Sequence, residues 1–101
     1  MNVLGLNKTD NPEEFYASLK EKLNEIHNFP EDYLFKFIIP NNQEKLTEIY
    51  QVFDGIQTSI SNRDSKNGKY ISLSISAFVL DADQVIDIYQ KVAQIESAIM
   101  L

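Results

Sequence analysis

The chain has 101 residues, of which 44 % are hydrophobic and 24 % are charged, and it contains no cysteine. This length suits one domain and the composition is that of ordinary globular proteins, which argues against intrinsic disorder. Without cysteine, disulfides, thiolate metal sites and a thiol nucleophile are excluded. We expect a single domain over residues 1–101, with a helical extension over residues 1–28 and a core over residues 29–101.

The charge balance is acidic, with nine Lys and Arg against fifteen Asp and Glu and a net charge of −6. Nucleic-acid binding depends on cations that neutralise phosphates, so we expect no nucleic-acid partner. No apolar run approaches the ~18 residues of a membrane span, so we expect no membrane association. Residues 1–10 lack the charged and long apolar regions of a signal peptide, and we expect a cytoplasmic protein.

An amphipathic helix is predicted over residues 13–27. Its apolar side chains recur at spacings of four, four and three, as a period of 3.6 requires: Phe15, Leu19, Leu23 and Ile26. Asn11 suits the N-cap, and Pro12 follows at a position where its missing N–H costs nothing. We expect a C-terminal cap near Asn28, with His27 in the last turn.

A central strand is predicted over residues 33–39, because aromatic and β-branched residues dominate it. Its odd-numbered side chains share one face, which we expect in the core, whereas Lys36 lies on the other face. Pro40 ends the strand. Asn41 with Glu44 forms a capping signature before a second helix, whose apolar stripe is Leu46, Ile49, Tyr50 and Phe53. Gly55 is predicted to end that helix.

A β-hairpin is predicted from residues 56–62 and 70–79, joined by the turn residues 65–68, which end in Asn-Gly. Alternation along the second strand separates an apolar face from a face of small hydroxyls. The apolar face carries Ile71, Leu73, Ile75, Ala77 and Val79, and the other carries Tyr70, Ser72, Ser74, Ser76 and Phe78.

A third helix is predicted after Asp81, which forms a capping pattern with Gln84. Its apolar stripe is Val85, Ile88, Tyr89, Val92 and Ile95. Residues 98–101 are predicted to form a short closing strand. After the first helix, the order strand, helix, strand, strand, helix, strand is typical of the ferredoxin-like βαββαβ fold, of class α+β. We therefore expect a four-stranded antiparallel sheet with two helices on one face.

Catalytic and metal motifs are absent from the sequence. His27 is the only histidine, and its place at a helix end is explained by the helix dipole. The segment that starts at Asp81 begins like a calcium loop, but Val85 and Ile86 replace the oxygen ligand and the glycine that such a loop needs. Three glycines form no phosphate-binding loop. We expect no enzymatic activity, no metal and no cofactor.

A polar patch remains as the candidate site: Ser72, Ser74 and Ser76, with Lys36 on the neighbouring strand and Tyr70 beside the serines. Hydroxyls and an ammonium together suit a small anion or an amino-acid-like ligand. The competing interpretation, which we favour from the sequence, is that a helix packs on this small-residue face. The apolar stripe of residues 13–27 must be buried, either there or against a second chain.

The chain resembles the YbeD-like family of small bacterial proteins of unknown function. The likeness covers Phe29 to Leu101, and the extension through His27 lies outside the usual pattern. It is carried by the segments Phe29-Pro30, Tyr33 to Phe37, Ser65 to Ile75 and Asp83 to Tyr89. The resemblance implies a ferredoxin-like fold similar to ACT-type regulatory domains, which bind amino acids at dimer interfaces. It places Lys36 and Tyr70 at motif-like positions.

Three functions compete. The first is a non-enzymatic regulatory or small-ligand-binding module that forms a homodimer. The second is a protein-interaction adaptor that docks through the helix over residues 13–27 or through edge strand 56–62, which is also suited to pairing with its own copy. The third is an RNA-recognition-type sheet, which the serines and the acidic charge disfavour, because such sheets need aromatic platforms and a basic surface.

Overall fold

Three helices and a four-stranded sheet make up residues 11–101, which are the residues that the computed structural model describes. In chain order the elements are α1 (Pro12–Ile26), β1 (Glu31–Pro40), α2 (Gln43–Val52), β2 (Thr58–Asp64), β3 (Tyr70–Val79), α3 (Ala82–Ala93) and β4 (Ile99–Met100). The strand order is β2-β3-β1-β4, and all neighbouring strands are antiparallel. The predicted α+β, ferredoxin-like architecture is confirmed. The prediction that residues 1–10 form no signal peptide concerns a segment that lies outside the described residues.

Two of the predicted helix starts are confirmed by their caps. The Asn11 side chain accepts hydrogen bonds from the backbone N–H groups of Glu13 and Glu14 at 3.1 and 3.3 Å. The Asp81 carboxylate accepts one from the N–H of Gln84 at 2.8 Å. Such bonds satisfy N–H groups that have no partner within the helix, so short polar residues at these positions define where each helix begins.

Helix α2 begins later than predicted, because Asn42 rather than Asn41 is its cap. The Asn42 side chain accepts from the N–H of Lys45 at 2.8 Å. Asn41 instead stays with the β-hairpin: its N–H donates to the carbonyl of Lys69 at 2.8 Å, and its side-chain amide donates to the carbonyl of Gly68 at 2.7 Å. Asn41 therefore binds the hairpin turn, which leaves Asn42 to cap the helix.

Strand β2 is shifted by two residues from the predicted range 56–62. The N–H of Ile56 donates to the carbonyl of Phe53 at 3.0 Å, so Ile56 belongs to the exit from α2. The turn lies where predicted: the N–H of Gly68 donates to the carbonyl of Ser65 at 3.0 Å, and Gly68 has a φ of +71°. A left-handed backbone at this position favours glycine. At the end of α1 the cap is His27, not Asn28.

The core lies between the sheet and its helices. The inward side chains of the two central strands are 0–7 % exposed: Phe35, Phe37, Ile39, Ile71, Leu73, Ile75, Ala77 and Val79. The helices add Ile49 from α2 and Val85, Ile88, Tyr89 and Val92 from α3. Apart from Tyr89, no residue with a polar or charged side chain is buried among the described residues. Removal of this apolar surface from water is the main driving force for the fold.

Helix α1 packs beside α3 in the helical layer, so the expectation that it covers the serine face was wrong. Phe15, Leu19 and Leu23 are buried in the main core, and Lys20 Nζ lies 3.0 Å from Asp83 Oδ1 of α3. The fourth residue of the predicted stripe, Ile26, is 74 % exposed.

The physical reason is the width of the apolar surface of α3. Ala82 and Ile86 are buried although they lie outside the predicted stripe of this helix. They lie four residues apart and thus share one side of α3, next to the sheet-facing stripe. A short link then joins α1 to β1, in which the ring of His27 packs 5.2 Å from that of Tyr33 on the helical side of the sheet. Two neighbouring apolar faces on α3 therefore give α1 its docking site.

Candidate binding surface on the open sheet face

The other side of the sheet is its open face, defined by the side chains that alternate with the core residues along each strand. They are Asp32, Leu34, Lys36, Ile38 and Pro40 of β1, Ser59, Ser61 and Arg63 of β2, Tyr70, Ser72, Ser74, Ser76 and Phe78 of β3, and Ile99 of β4. All are exposed or half-buried. Among the described residues no helix covers this face.

Strand register brings four of the five predicted site residues together. Lys36 lies directly opposite Ser74, and the flanking serines Ser72 and Ser76 lie opposite Ile38 and Leu34. Side chains directly opposite each other on antiparallel strands have Cβ atoms about 4.5–5.5 Å apart. The ammonium and the hydroxyls thus form one continuous patch.

Tyr70, the fifth predicted residue, lies at the end of this patch. It pairs with Pro40 at the last register position of β1 and β3, next to the position of Ser72 on the same face. Its ring is 49 % exposed. It therefore borders the hydroxyl patch and does not lie within it.

Strand β2 adds three polar residues that the sequence reasoning did not name. Ser61 lies opposite Ser74, Arg63 lies opposite Ser72, and Ser59 lies opposite Ser76. Arg63 was missed because the predicted strand ended at residue 62, and Ser59 and Ser61 were missed because no register was assigned between the two strands of the hairpin. The signal was present in the turn, because a hairpin turn fixes the register of both its strands.

Two cations without an acidic partner among residues 11–101 distinguish this face in a chain of net charge −6. The close contacts between basic and acidic side chains among residues 11–101 are Lys20–Asp83, His27–Glu31, Lys45–Glu48 and Lys91–Asp87. Neither Lys36 nor Arg63 takes part in any of them. Serine hydroxyls between the two cations both donate and accept hydrogen bonds. A depression of about 390 Å³ lies beside Arg63 and is lined by Ser61, Asn62, Ser72 and Ser74.

The β1–β4 side of the open face carries aliphatic side chains around Lys36. Leu34 and Ile99 are exposed there, and Ile38 is half-buried opposite Ile99. Leu101 extends this side, because its N–H donates to the carbonyl of Lys36 at 3.0 Å. The open face therefore offers hydroxyls and the Arg63 guanidinium on the β2–β3 side, and aliphatic groups around the Lys36 ammonium on the other.

The covered side of the sheet holds a pair of tyrosines instead. The Tyr33 and Tyr89 hydroxyl oxygens lie 3.0 Å apart, within hydrogen-bond distance. Burial raises the pKa of Tyr89 far above its usual value, and the hydrogen bond and charge of Tyr33 raise it further. A phenol that stays protonated in this way acts as a structural hydrogen-bonding group within the helical layer.

His27 also belongs to the covered side. Its ring packs against Phe29 and Tyr33, with centroids 5.6 and 5.2 Å away, and its Nδ1 lies 3.3 Å from Glu31 Oε1. These contacts give it a structural role at the exit from α1. Within residues 11–101 no three His, Asp or Glu side chains gather in a way that would hold a metal ion.

None of the helices described for residues 11–101 has the length and apolar content needed to cross a membrane.

No curated protein and no solved structure matches the chain. A family model described as "Protein of unknown function (DUF493)" matches residues 24–101. The match begins in the last turn of α1 and includes the whole sheet, close to the range of the resemblance predicted from the sequence. The likeness to ACT-type domains is not tested by this match and stays a prediction. Because the family model matches most of the chain, the chain belongs to the DUF493 family.

Proposed function

We propose that this protein is a non-enzymatic binding module whose open sheet face holds a small ligand with a carboxylate or another anionic group, such as an amino acid. The observation that supports this most directly is the placement of Lys36 and Arg63. Both lie on one face, with Ser72 and Ser74 between them, and neither is paired with a carboxylate among the described residues.

Charge complementarity supports an anionic ligand. An oxyanion next to an ammonium or a guanidinium forms hydrogen bonds about twice as strong as those between neutral groups. The neighbouring hydroxyls add donors that adapt to the shape of the ligand. The aliphatic side chains on the β1–β4 side would contact the apolar part of an amino-acid-like molecule. Binding sites commonly combine apolar walls with a few polar groups in this way.

We infer a regulatory role, because a module that binds a ligand without converting it acts through its occupancy. Among the described strands the open face carries no histidine, and its one carboxylate, Asp32, lies opposite Phe78, so no general base lies directly opposite a serine. We infer that the ligand is held and released unchanged, so that its occupancy transmits a signal. We also propose a cytoplasmic location, as the lack of cysteine suggests.

The test is thermal denaturation with a panel of amino acids, phosphate and sulfate at millimolar concentration. A bound ligand at a hundred times its Kd stabilises the folded state by about 2.7 kcal/mol, which raises the melting temperature measurably. The variants Lys36→Met and Arg63→Met should each weaken binding at least tenfold by titration calorimetry.

Lys22→Met on α1 is the matched control, because Lys22 is exposed and lies outside the sheet. It should bind like the unmodified protein. The proposal is wrong when no compound in the panel raises the melting temperature, or when Lys36→Met and Arg63→Met bind as tightly as Lys22→Met.

A protein-interaction adaptor is the second candidate. The apolar stripe of α1 was one of its two predicted docking elements, and Phe15, Leu19 and Leu23 are already buried against the core. The edge strand remains available, since β2 has a neighbour on one side only within the described part of the chain.

A further inference from the structure

Within residues 11–101, one backbone edge of strand β2 has no neighbouring strand. The carbonyl of Gln57 accepts from the N–H of Phe78 at 3.0 Å, and the N–H of Ser65 donates to the carbonyl of Tyr70 at 2.9 Å. Odd-numbered residues of β2 therefore bond to β3, because bonded and non-bonded positions alternate in an antiparallel pair. The N–H and C=O groups of the even-numbered residues point away from the sheet: Thr58, Ile60, Asn62 and Asp64.

This edge has few of the features that usually prevent strand pairing. Natural edge strands are kept short or carry charged residues, especially lysine, or proline or a bulge. The other edge strand, β4, has two residues, whereas β2 has seven and contains neither lysine nor proline. Its register with β3 runs without a bulge from Thr58 to Asp64. In addition, Ile60 is 41 % exposed on this strand.

The charge of the edge also suits a second copy of the chain. Arg63 and Asp64 are the charged residues of β2 and cancel each other, so the strand is neutral within a protein of net charge −6. A two-fold axis at β2 would bring together two neutral strips with matching rows of free donors and acceptors.

We propose that two copies of the chain pair antiparallel through β2, with Ile60 of one copy opposite Ile60 of the other at the two-fold axis. In this register Thr58 lies opposite Asn62, and Arg63 lies opposite Gln57, so no like charges meet. The three pairs formed by residues 58, 60 and 62 give about six backbone hydrogen bonds, two for each pair. The two sheets then form one sheet of eight strands.

Neighbouring registers fit less well. Placing Asn62 on the axis sets Ile60 opposite Asp64, and placing Ser61 there sets Ile60 opposite Asn62. Placing Ser59 on the axis sets Ile60 opposite Thr58. Each alternative puts an aliphatic side chain against one with a polar group, whereas the proposed register puts two isoleucines opposite each other. The burial of Ile60 thus selects one register among those that the backbone permits.

The first test is the mass of the full chain in solution, measured without ligand by sedimentation equilibrium from micromolar to millimolar concentration. We expect a dimer. Ile60→Lys places two like charges at the axis and should raise the dimer dissociation constant at least tenfold. Asn62→Pro should do the same, because it removes an outward N–H and leaves the bonds to β3 intact.

Ile99→Lys is the matched control, because it adds the same charge to an exposed residue of the opposite edge strand. Circular dichroism would confirm that each variant is folded. The proposal is overturned when the protein stays monomeric up to millimolar concentration, when folded Ile60→Lys dimerises like the parent, or when Ile99→Lys disrupts the dimer equally.

The register has its own test, since the chain contains no cysteine. Residues opposite each other in a bonded antiparallel pair have Cα atoms about 5.5 Å apart, within the range of a disulfide. Ile60→Cys should therefore form a cross-linked dimer on mild oxidation, and Asn62→Cys should not. The reverse result would overturn the proposed register. These measurements need no ligand, so their outcome is independent of the anion-binding proposal.

Discussion

The two faces of the sheet show how one pair of strands produces both a core and a surface. Neighbouring residues of β1 differ completely: Phe35 is fully buried, whereas Leu34 is 54 % exposed. On β3, five apolar residues face the helices and the intervening serines face outward. Because side chains alternate along a strand, each strand contributes equally to both faces. The difference between them comes from the helices, which cover one face.

The covered face carries the stability and leaves the open face free to carry function. Its inward residues are apolar, and the tyrosine hydroxyls at its margin pair with each other. The open face contributes little to the core, so its cations, hydroxyls and aliphatic residues are not explained by the stability of the fold. We relate them to ligand binding on the face and to pairing along its β2 edge.

The largest expected effect is on the central strand. Phe35→Ala should lower the free energy of unfolding by about 3–5 kcal/mol, because it removes a buried ring and leaves a cavity. Leu34→Ala, one residue away on the open face, should change it by less than about 0.5 kcal/mol. Urea denaturation of both variants measures the difference. Similar losses in the two variants would mean that the open face is covered in solution.

Much of this division was predictable from the sequence. The alternation from Tyr70 to Val79 correctly separated the core residues from the serines, and Asn11 and Asp81 correctly marked two helix starts. These signals are local, because a strand period or a cap depends on residues a few positions apart.

The rest depended on tertiary contacts. The stripe of α1 was recognised, but its partner was not, because amphipathicity shows that a face must be buried without showing where. In the same way Arg63 joined the candidate site only through the register of β2 with β3. The second apolar side of α3, at Ala82 and Ile86, was the available signal for the position of α1.

An intermediate effect is expected where α1 extends the covered face. Leu23→Ala should cost about 2–4 kcal/mol, since Leu23 is buried in the shared core. Ile26→Ala lies on the same helix, is exposed, and should cost less than about 0.5 kcal/mol. Both are measured by urea denaturation. Equal and small effects would show that α1 does not dock on α3, and the covered face would then be smaller than described.

The smallest effect concerns the paired hydroxyls of Tyr33 and Tyr89. Removing one of them in Tyr89→Phe should cost about 1 kcal/mol at neutral pH, because a hydrogen bond is lost and the Tyr33 hydroxyl loses its partner. Tyr70→Phe, on the open face, is the control and should leave stability unchanged. Thermal and urea denaturation at pH 7 measure this difference.

The pH dependence of the free energy of unfolding then tests the burial of Tyr89, which the loss of one hydrogen bond at neutral pH does not test. Its pKa is raised on folding, so the unfolded chain releases the phenolic proton first, near the ordinary tyrosine pKa of about 10. The contribution of Tyr89 to stability is therefore complete below about pH 10. Above that it falls by up to about 1.4 kcal/mol for each pH unit.

Tyr89→Phe has no such proton to lose. The stability gap between the parent and this variant should therefore close between about pH 10 and 11 and then reverse. Urea denaturation at each pH measures the gap. A gap that stays constant through this range would mean that Tyr89 ionises equally in both states. The helical layer would then be open to water at this margin, and the covered face would be less distinct from the open one.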